Sequence, residues 1–245
     1  MLSINQIKHI RSLSQLKFRR EHRQFIAEGT KIVGELPASA IRVEDVYGLE
    51  AWVEENRGKF EYIRAGVHQI SAKELERISM QKTPNQVLAV CRMPEHELQS
   101  IYEEDGSLLV LDGIRDPGNM GTIIRTADWF GIRNIVCSND CVDVYNPKVV
   151  QSTMGSIARI KIHYTDLATY LANTEQEIYA MVMDGESIWE VKPGKGIYVI
   201  GNESNGIRPE VMQHATKKIS IPSAGEAESL NASVAAGIVL AVLNK

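Results

Sequence analysis

GNESNGI, residues Gly201–Ile207, follows the apolar run Ile197–Ile200 and places a glycine at each end of a polar turn. A strand that opens into Gly-x-Glu-x-x-Gly brings its backbone close to a ligand, because glycine lacks the side chain that would hold the ligand off. Outward from this turn, apolar strand candidates run over Leu108–Leu111, Asn134–Cys137, Ala158–His163, Ile178–Met183, Ile197–Ile200 and Lys218–Ile221. Helical patterns over Asn119–Phe130, Asn146–Ser152, Asp166–Ala172 and Leu230–Leu243 separate or follow them. Continuous apolar strands alternating with helices predict a parallel sheet covered on both faces.

The amino-terminal residues alternate in the same way over a shorter span. Ile4, Ile7, Ile10, Leu13 and Leu16 recur at three-residue steps among lysines and arginines, which predicts a basic amphipathic helix. Strands are expected at Phe25–Ala27, Ile41–Tyr47, Phe60–Arg64 and Gln86–Arg92, with helices at Thr30–Leu36, Glu50–Asn56 and Ser71–Ile78. The polar, acidic stretch Met93–Ser107 has no period that demands burial. The division is therefore a small α/β domain over 1–94, a linker over 95–106 and a larger α/β domain over 107–245.

Composition bounds the function. The formal net charge of the 245 residues is -4, so no global basic excess points to nucleic acid. The charge is uneven, however: Lys8, Arg11, Lys17, Arg19, Arg20, Arg23 and Lys31 face only Glu21 and Glu28 in the opening stretch. That run is either a solvated face or a phosphate-facing surface. Cys91, Cys137 and Cys141 form no CxxC pair, which excludes a zinc ribbon and a disulfide framework and predicts buried free thiols with no metal. The opening residues lack a secretory signal, and Val234–Leu243 is about half a membrane span, so a cytoplasmic protein with no membrane partner is expected. No G-x-G-x-x-G follows Leu108–Leu111 and no P-loop occurs, so the ordinary dinucleotide and nucleotide sites are absent.

Three segments carry a different signature: NMGTIIRTADWFG (Asn119–Gly131), IGNESNGI (Ile200–Ile207) and ISIPSAGEAESLNASVA (Ile219–Ala235). In this order they resemble the three motifs of the SpoU (TrmH-type) RNA 2'-O-ribose methyltransferases, of the SPOUT class, and VDVYNPKVVQSTMGS looks like that family's middle region. The departures are small. Ser223 stands where the family often has Met, and Ala232 where it often has Val. The resemblance implies a carboxy-terminal domain with a deep trefoil knot, against the usual rule that chains do not thread loops. It also implies a homodimer, S-adenosylmethionine as cofactor and a small ribosomal-protein-like α/β domain that binds RNA, more in keeping with ribosomal than transfer RNA.

The same resemblance assigns the site. Gly201, Asn202, Gly206, Ile221, Pro222, Leu230 and Ser233 fall where the cofactor is held, and Arg125 matches the catalytic arginine. None of the six histidines lies in a motif, so the usual neutral base is missing. A guanidinium is an awkward base, and its physical strength is to clamp a phosphate and offset charge developing on the 2'-oxygen. Asn119 is placed to cap its helix or to orient Arg125, and Glu203 to fix either by charge-assisted hydrogen bonds. Ser229 and Asn231 present polar groups beside the methyl donor, Ser229 also being a candidate N-cap. Arg19, Arg20, Arg23, Lys148 and Ser152 are the candidate RNA contacts. Two other readings stay open: a non-catalytic RNA-binding protein with a degenerate knot, and a Rossmann-type nucleotide enzyme.

Overall fold

A computed structural model describes residues 1–63, 65–94, 106–191 and 194–243. Of the linker expected over 95–106, all but Gly106 lies outside these residues. The chain divides into two compact units, the first made of Met1–Glu95 with Asp143–Arg159 and the second of His96–Val142 with Ile160–Lys245. The segment Asp143–Arg159, expected within the carboxy-terminal domain, thus groups with the amino-terminal unit.

The first unit is built on a four-stranded mixed sheet in the order β1 (Gln24–Glu28), β4 (Val87–Arg92), β2 (Val43–Gly48) and β3 (Gly66–Gln69). β4 is antiparallel to β1 and β2, and β2 is parallel to β3. Ile26, Tyr47, Leu88 and Val90 pack on one side with Ile7, Ile10 and Leu13 and with Leu75 and Ile78 of the Ala72–Ile78 helix. Strand alternation sends Phe25 to the other side, where its ring meets Tyr145 at 4.7 Å between centroids.

The amphipathic helix forms over Ile4–Ser12 with Ile7 and Ile10 buried, but the expected five-residue stripe does not hold: a second helix runs over Leu16–His22, and Ile4 and Leu16 are exposed. At about 100° per residue, three-residue steps drift by roughly 60° each, so five such positions cannot share one face. The strand expected from Phe60 is instead the end of the Glu50–Tyr62 helix. Trp52, Val53, Asn56 and Phe60 are buried, at helical rather than strand spacing.

Arg19 also departs from expectation. It is 2% exposed, with Nη2 and Nε bonded to Asp143 Oδ2 at 2.6 and 2.8 Å and Nη1 donating to the carbonyls of Leu13 and Ser14. Its charge ties the Asp143–Arg159 segment to the first two helices, and it has no face to offer RNA. Further ties within the unit run from Gln81 to Gln151, at 2.7 Å, and from Arg159 to Glu35.

The second unit has a six-stranded sheet in the order β10 (Lys217–Ser220), β8 (Ile178–Ser187), β9 (Ile197–Ile200), β5 (Leu108–Leu111), β6 (Asn134–Ser138) and β7 (Lys161–Thr165). Every pairing is parallel, as expected. β5, β6 and β9 are buried along their whole length, consistent with cover on both faces. The strand order runs outward in one direction through β5, β6 and β7 and in the other through β9, β8 and β10. The reversal between β5 and β9 is the topological switch point, where open parallel sheets form a crevice at the carboxyl ends of their strands. The residues Asp112–Gly113 and Gly201–Asn202 emerge there side by side, since Leu111 pairs with Ile200.

The Arg19–Asp143 pair yields a stability prediction. Asp143→Ala strands a buried guanidinium and is expected to cost about 3–5 kcal/mol, whereas Arg20→Ala, at an exposed position, changes stability by less than about 0.5 kcal/mol. Chemical denaturation followed by circular dichroism measures both.

Candidate active site

The helix after β5, Pro117–Trp129, begins with Asp116 as its cap, whose side chain accepts the Asn119 N–H at 2.8 Å, and with Pro117 at its first position. Met120, Ile123, Ile124 and Ala127 form its buried stripe. It ends in a Schellman turn: Gly131 has φ +77°, its N–H bonds to Asp128, and the Ile132 N–H bonds to Ala127. Since Asp116 caps the helix, the capping role considered for Asn119 falls away. Its side chain is left to reach across the site.

Asn119 makes two side-chain bonds. Its Nδ2 donates to Glu203 Oε1 from the turn after β9, and its Oδ1 accepts from Asn231 Nδ2 at 2.8 Å. Asn231 in turn caps the final helix, Ala232–Leu243, its Oδ1 accepting the Ser233 and Val234 N–H groups at 2.9 and 3.4 Å and the Ser233 hydroxyl at 2.6 Å. Asn231, not Ser229, is therefore the cap. One directional chain of hydrogen bonds now joins the three motifs, and each amide has its oxygen and nitrogen assigned by its partners. The chain leaving the edge strand β10 is thereby brought back to the helix that follows the central strand β5.

The Gly201–Gly206 turn closes on itself. Asn202 and Gly206 exchange two backbone hydrogen bonds, at 3.0 and 2.8 Å. Asn202 Oδ1 accepts from the Ser204 and Asn205 N–H groups, while its Nδ2 donates to the Gly113 carbonyl at 2.9 Å. A Cβ at Gly201 would lie 2.5 Å from both the Gly206 oxygen and the Ile207 nitrogen, and Gly206 has φ +65°. The first glycine thus lets the turn fold onto its own backbone, and the second supplies a left-handed residue. The close approach inferred from GNESNGI is in the first instance internal.

The remaining expected residues are placed unevenly. Arg125 is exposed, two turns along its helix from Gly118, and among the described residues it has no hydrogen-bond or ion-pair partner. Trp129, one turn further on, is 84% exposed. Ile221 is half-buried just beyond β10, and Pro222, Ser229 and Leu230 lie in the exposed stretch that leads to Asn231, with Leu230 45% exposed. Ser229 takes no part in the Glu203–Asn119–Asn231 chain. Lys148 and Ser152 sit on the Pro147–Ser152 helix of the first unit, the Ser152 hydroxyl turned back onto the Lys148 carbonyl at 2.8 Å. Arg20 is exposed, and Arg23 is exposed at the left-handed end of the Leu16–His22 helix.

Asp112 and Arg208 carry no sequence signal that marks them as a pair. Asp112, buried at the end of β5, pairs with Arg208 just after the glycine turn, and the carboxylate raises the guanidinium further above its already high range. Asp140 stands beside them. Its carboxyl is held below the usual range by the Arg115 guanidinium first and the Ser138 hydroxyl second. An acid just after one strand and a base just after the glycine turn are both visible in the sequence, but their pairing depends on β5 and β9 being neighbours. All three cysteines are free and buried. Among the described residues no cluster could hold a metal, and no helix is long and apolar enough to cross a membrane.

Residues 106–241 match the SpoU rRNA methylase family, and residues 5–89 match the MRM3-like substrate binding domain. The AdoMet-bound rRNA methyltransferase of Sinorhizobium meliloti is similar over 99% of this chain and 95% of its own, with 30% identity and a TM-score of 0.89. A TrmH-family protein from Porphyromonas gingivalis shares 35% identity over 99% and 98% of the two chains, with a TM-score of 0.86. The 23S rRNA (guanosine(2553)-2'-O)-methyltransferase RlmP of Bacillus subtilis is 27% identical over 241 residues, which are 96% of this chain and 94% of that one. With its three motifs joined at the switch point of a parallel sheet, and more than half its length matched, the chain belongs to the SpoU rRNA methylase family.

Proposed function

We propose that the protein transfers a methyl group from S-adenosylmethionine to a ribose 2'-hydroxyl of ribosomal RNA. The observation that carries this reading is the Glu203–Asn119–Asn231 chain. It links segments 84 and 112 residues apart, and on the same helix as Asn119 the Arg125 guanidinium has no partner among the described residues.

The residues that would hold the donor are the exposed Leu230 and the half-buried Ile221, whose apolar side chains suit a flat base, together with the Gly201–Gly206 turn. When bound, S-adenosylmethionine supplies an electrophilic methyl group. Arg125 clamps the phosphate beside the target ribose and offsets negative charge as the 2'-oxygen develops it. Glu203 and Asn231 fix Asn119 from either side and so set the helix that carries Arg125. Positioning of this kind can supply about 7–11 kcal/mol of a two-substrate barrier, so the site does not require a strong base.

Three further features belong to the same reading. The return of the chain from β10 to Asn119 supports a carboxy-terminal segment threaded into a deep trefoil knot. The exposed apolar side chains of Trp129 and Val234 support a second copy of the chain docking as a homodimer. The first unit, with Arg20, Arg23 and Lys148 exposed, would hold RNA, Arg19 being excluded by its burial. A cytoplasmic location follows from the substrate.

Arg125→Ala is expected to lower the methyl-transfer rate by at least about a hundredfold while leaving S-adenosylmethionine affinity nearly unchanged. Single-turnover assays and calorimetry separate the two, and near-normal turnover would reject the role given to Arg125. Neutralising Arg20 and Arg23 together should weaken RNA binding and flatten its dependence on log salt, by about 0.7–0.9 for each phosphate that is no longer neutralised. An unchanged slope in filter binding would return them to an ordinary solvated surface.

A further inference from the structure

Asp112 is 1% exposed, and a carboxylate so buried must be matched by donors. Its donors here come from Arg208: the backbone N–H reaches Oδ2 at 2.8 Å, and Nε and Nη2 reach Oδ1 at 2.8 and 2.5 Å. Because main chain and side chain of one residue bind the same carboxylate, both the position and the direction of the backbone at Arg208 are set. The start of the glycine turn is held as firmly. The Asp112 N–H bonds to the Ile200 carbonyl at 2.9 Å, and the Asn202 amide bonds to Gly113.

A second ring of contacts braces these anchors. Ser138 Oγ accepts the Gly113 N–H at 2.9 Å and donates to Asp140 Oδ1 at 2.8 Å. Asp140 also pairs with Arg115 at 2.9 Å and faces Arg208 Nη2 at 3.5 Å. Between the two anchored ends of the turn stands Glu203, whose carboxylate reaches Asn119.

We propose that Arg208 and Asp112 are positioning residues for methyl transfer, holding the Gly201–Gly206 turn so that Glu203 meets Asn119 and the cofactor surface keeps its shape. This rests on the methyltransferase reading above. Asp112, buried and held by three donors of Arg208, has no part in the chemistry. Arg208 acts on the cofactor only through the turn.

The test compares wild type, Arg208→Lys, Glu203→Gln and the double variant in steady-state methylation of ribosomal RNA, with thermal melting alongside. Arg208→Lys keeps the charge but loses the forked geometry. It is expected to raise the KM for S-adenosylmethionine about tenfold, as befits the loss of a charge-assisted hydrogen bond, and to lower kcat severalfold because the Glu203–Asn119 contact that sets the Arg125 helix is loosened, with RNA affinity little changed and melting still cooperative. Combined with Glu203→Gln, it should add little to the loss from Glu203→Gln alone, because both act along one path. A wild-type KM in Arg208→Lys, fully additive losses in the double variant, or loss of cooperative melting in Arg208→Lys would each overturn the assignment. Calorimetric failure of the wild-type protein to bind S-adenosylmethionine is a separate outcome that removes the methyltransferase reading, and this proposal with it.

Discussion

The side-chain amide of Asn119 is the point at which the second unit becomes a site. With its helix capped by Asp116, it is free to donate to Glu203 and accept from Asn231. An amide offers a donor and an acceptor in fixed geometry, so it can join an acid on one side to another amide on the other, which neither a carboxylate nor an ammonium could do. Replacing it by aspartate would set two carboxylates facing each other and leave Asn231 Nδ2 as the sole donor between them.

Around that amide the protein separates two electrostatic tasks. Asp112, Arg208, Asp140 and Arg115 satisfy one another at the ends of β5 and β6, and their charges are largely consumed by the fold. Arg125, on the exposed face of its helix, has no such partner among the described residues. Charge needed to shape backbone is neutralised locally, and charge available to a polyanion is left uncompensated.

What is legible in the sequence is what repeats or what glycine and asparagine mark. The apolar strands, the glycine turn, Asn119 and Arg125 can all be found there, and the order of motifs points to the family. What depends on which strands are neighbours cannot be found. Asp112 and Arg208 are 96 residues apart, and only the reversal between β5 and β9 brings them together. Asn231 outranks Ser229 as helix cap because the final helix starts two residues later than its apolar pattern suggests. Arg19 reads as part of a basic surface because burial of a charge is decided by a distant partner, here Asp143. Phe60 reads as strand because a helix seen along one edge resembles a short apolar strand.

The composite make-up of the first unit bears on how the protein is synthesised. Its sheet is complete in sequence by Arg92, but Asp143, Tyr145 and Gln151 come later, after β5 and β6 have been made. A nascent chain emerging from the ribosome therefore carries Arg19 without its counterion and Phe25 without its covering ring for some fifty residues of elongation beyond Arg92. During that interval the amino-terminal unit lacks part of its packing, and its completion waits on translation of the neighbouring unit's first stretch, His96–Val142.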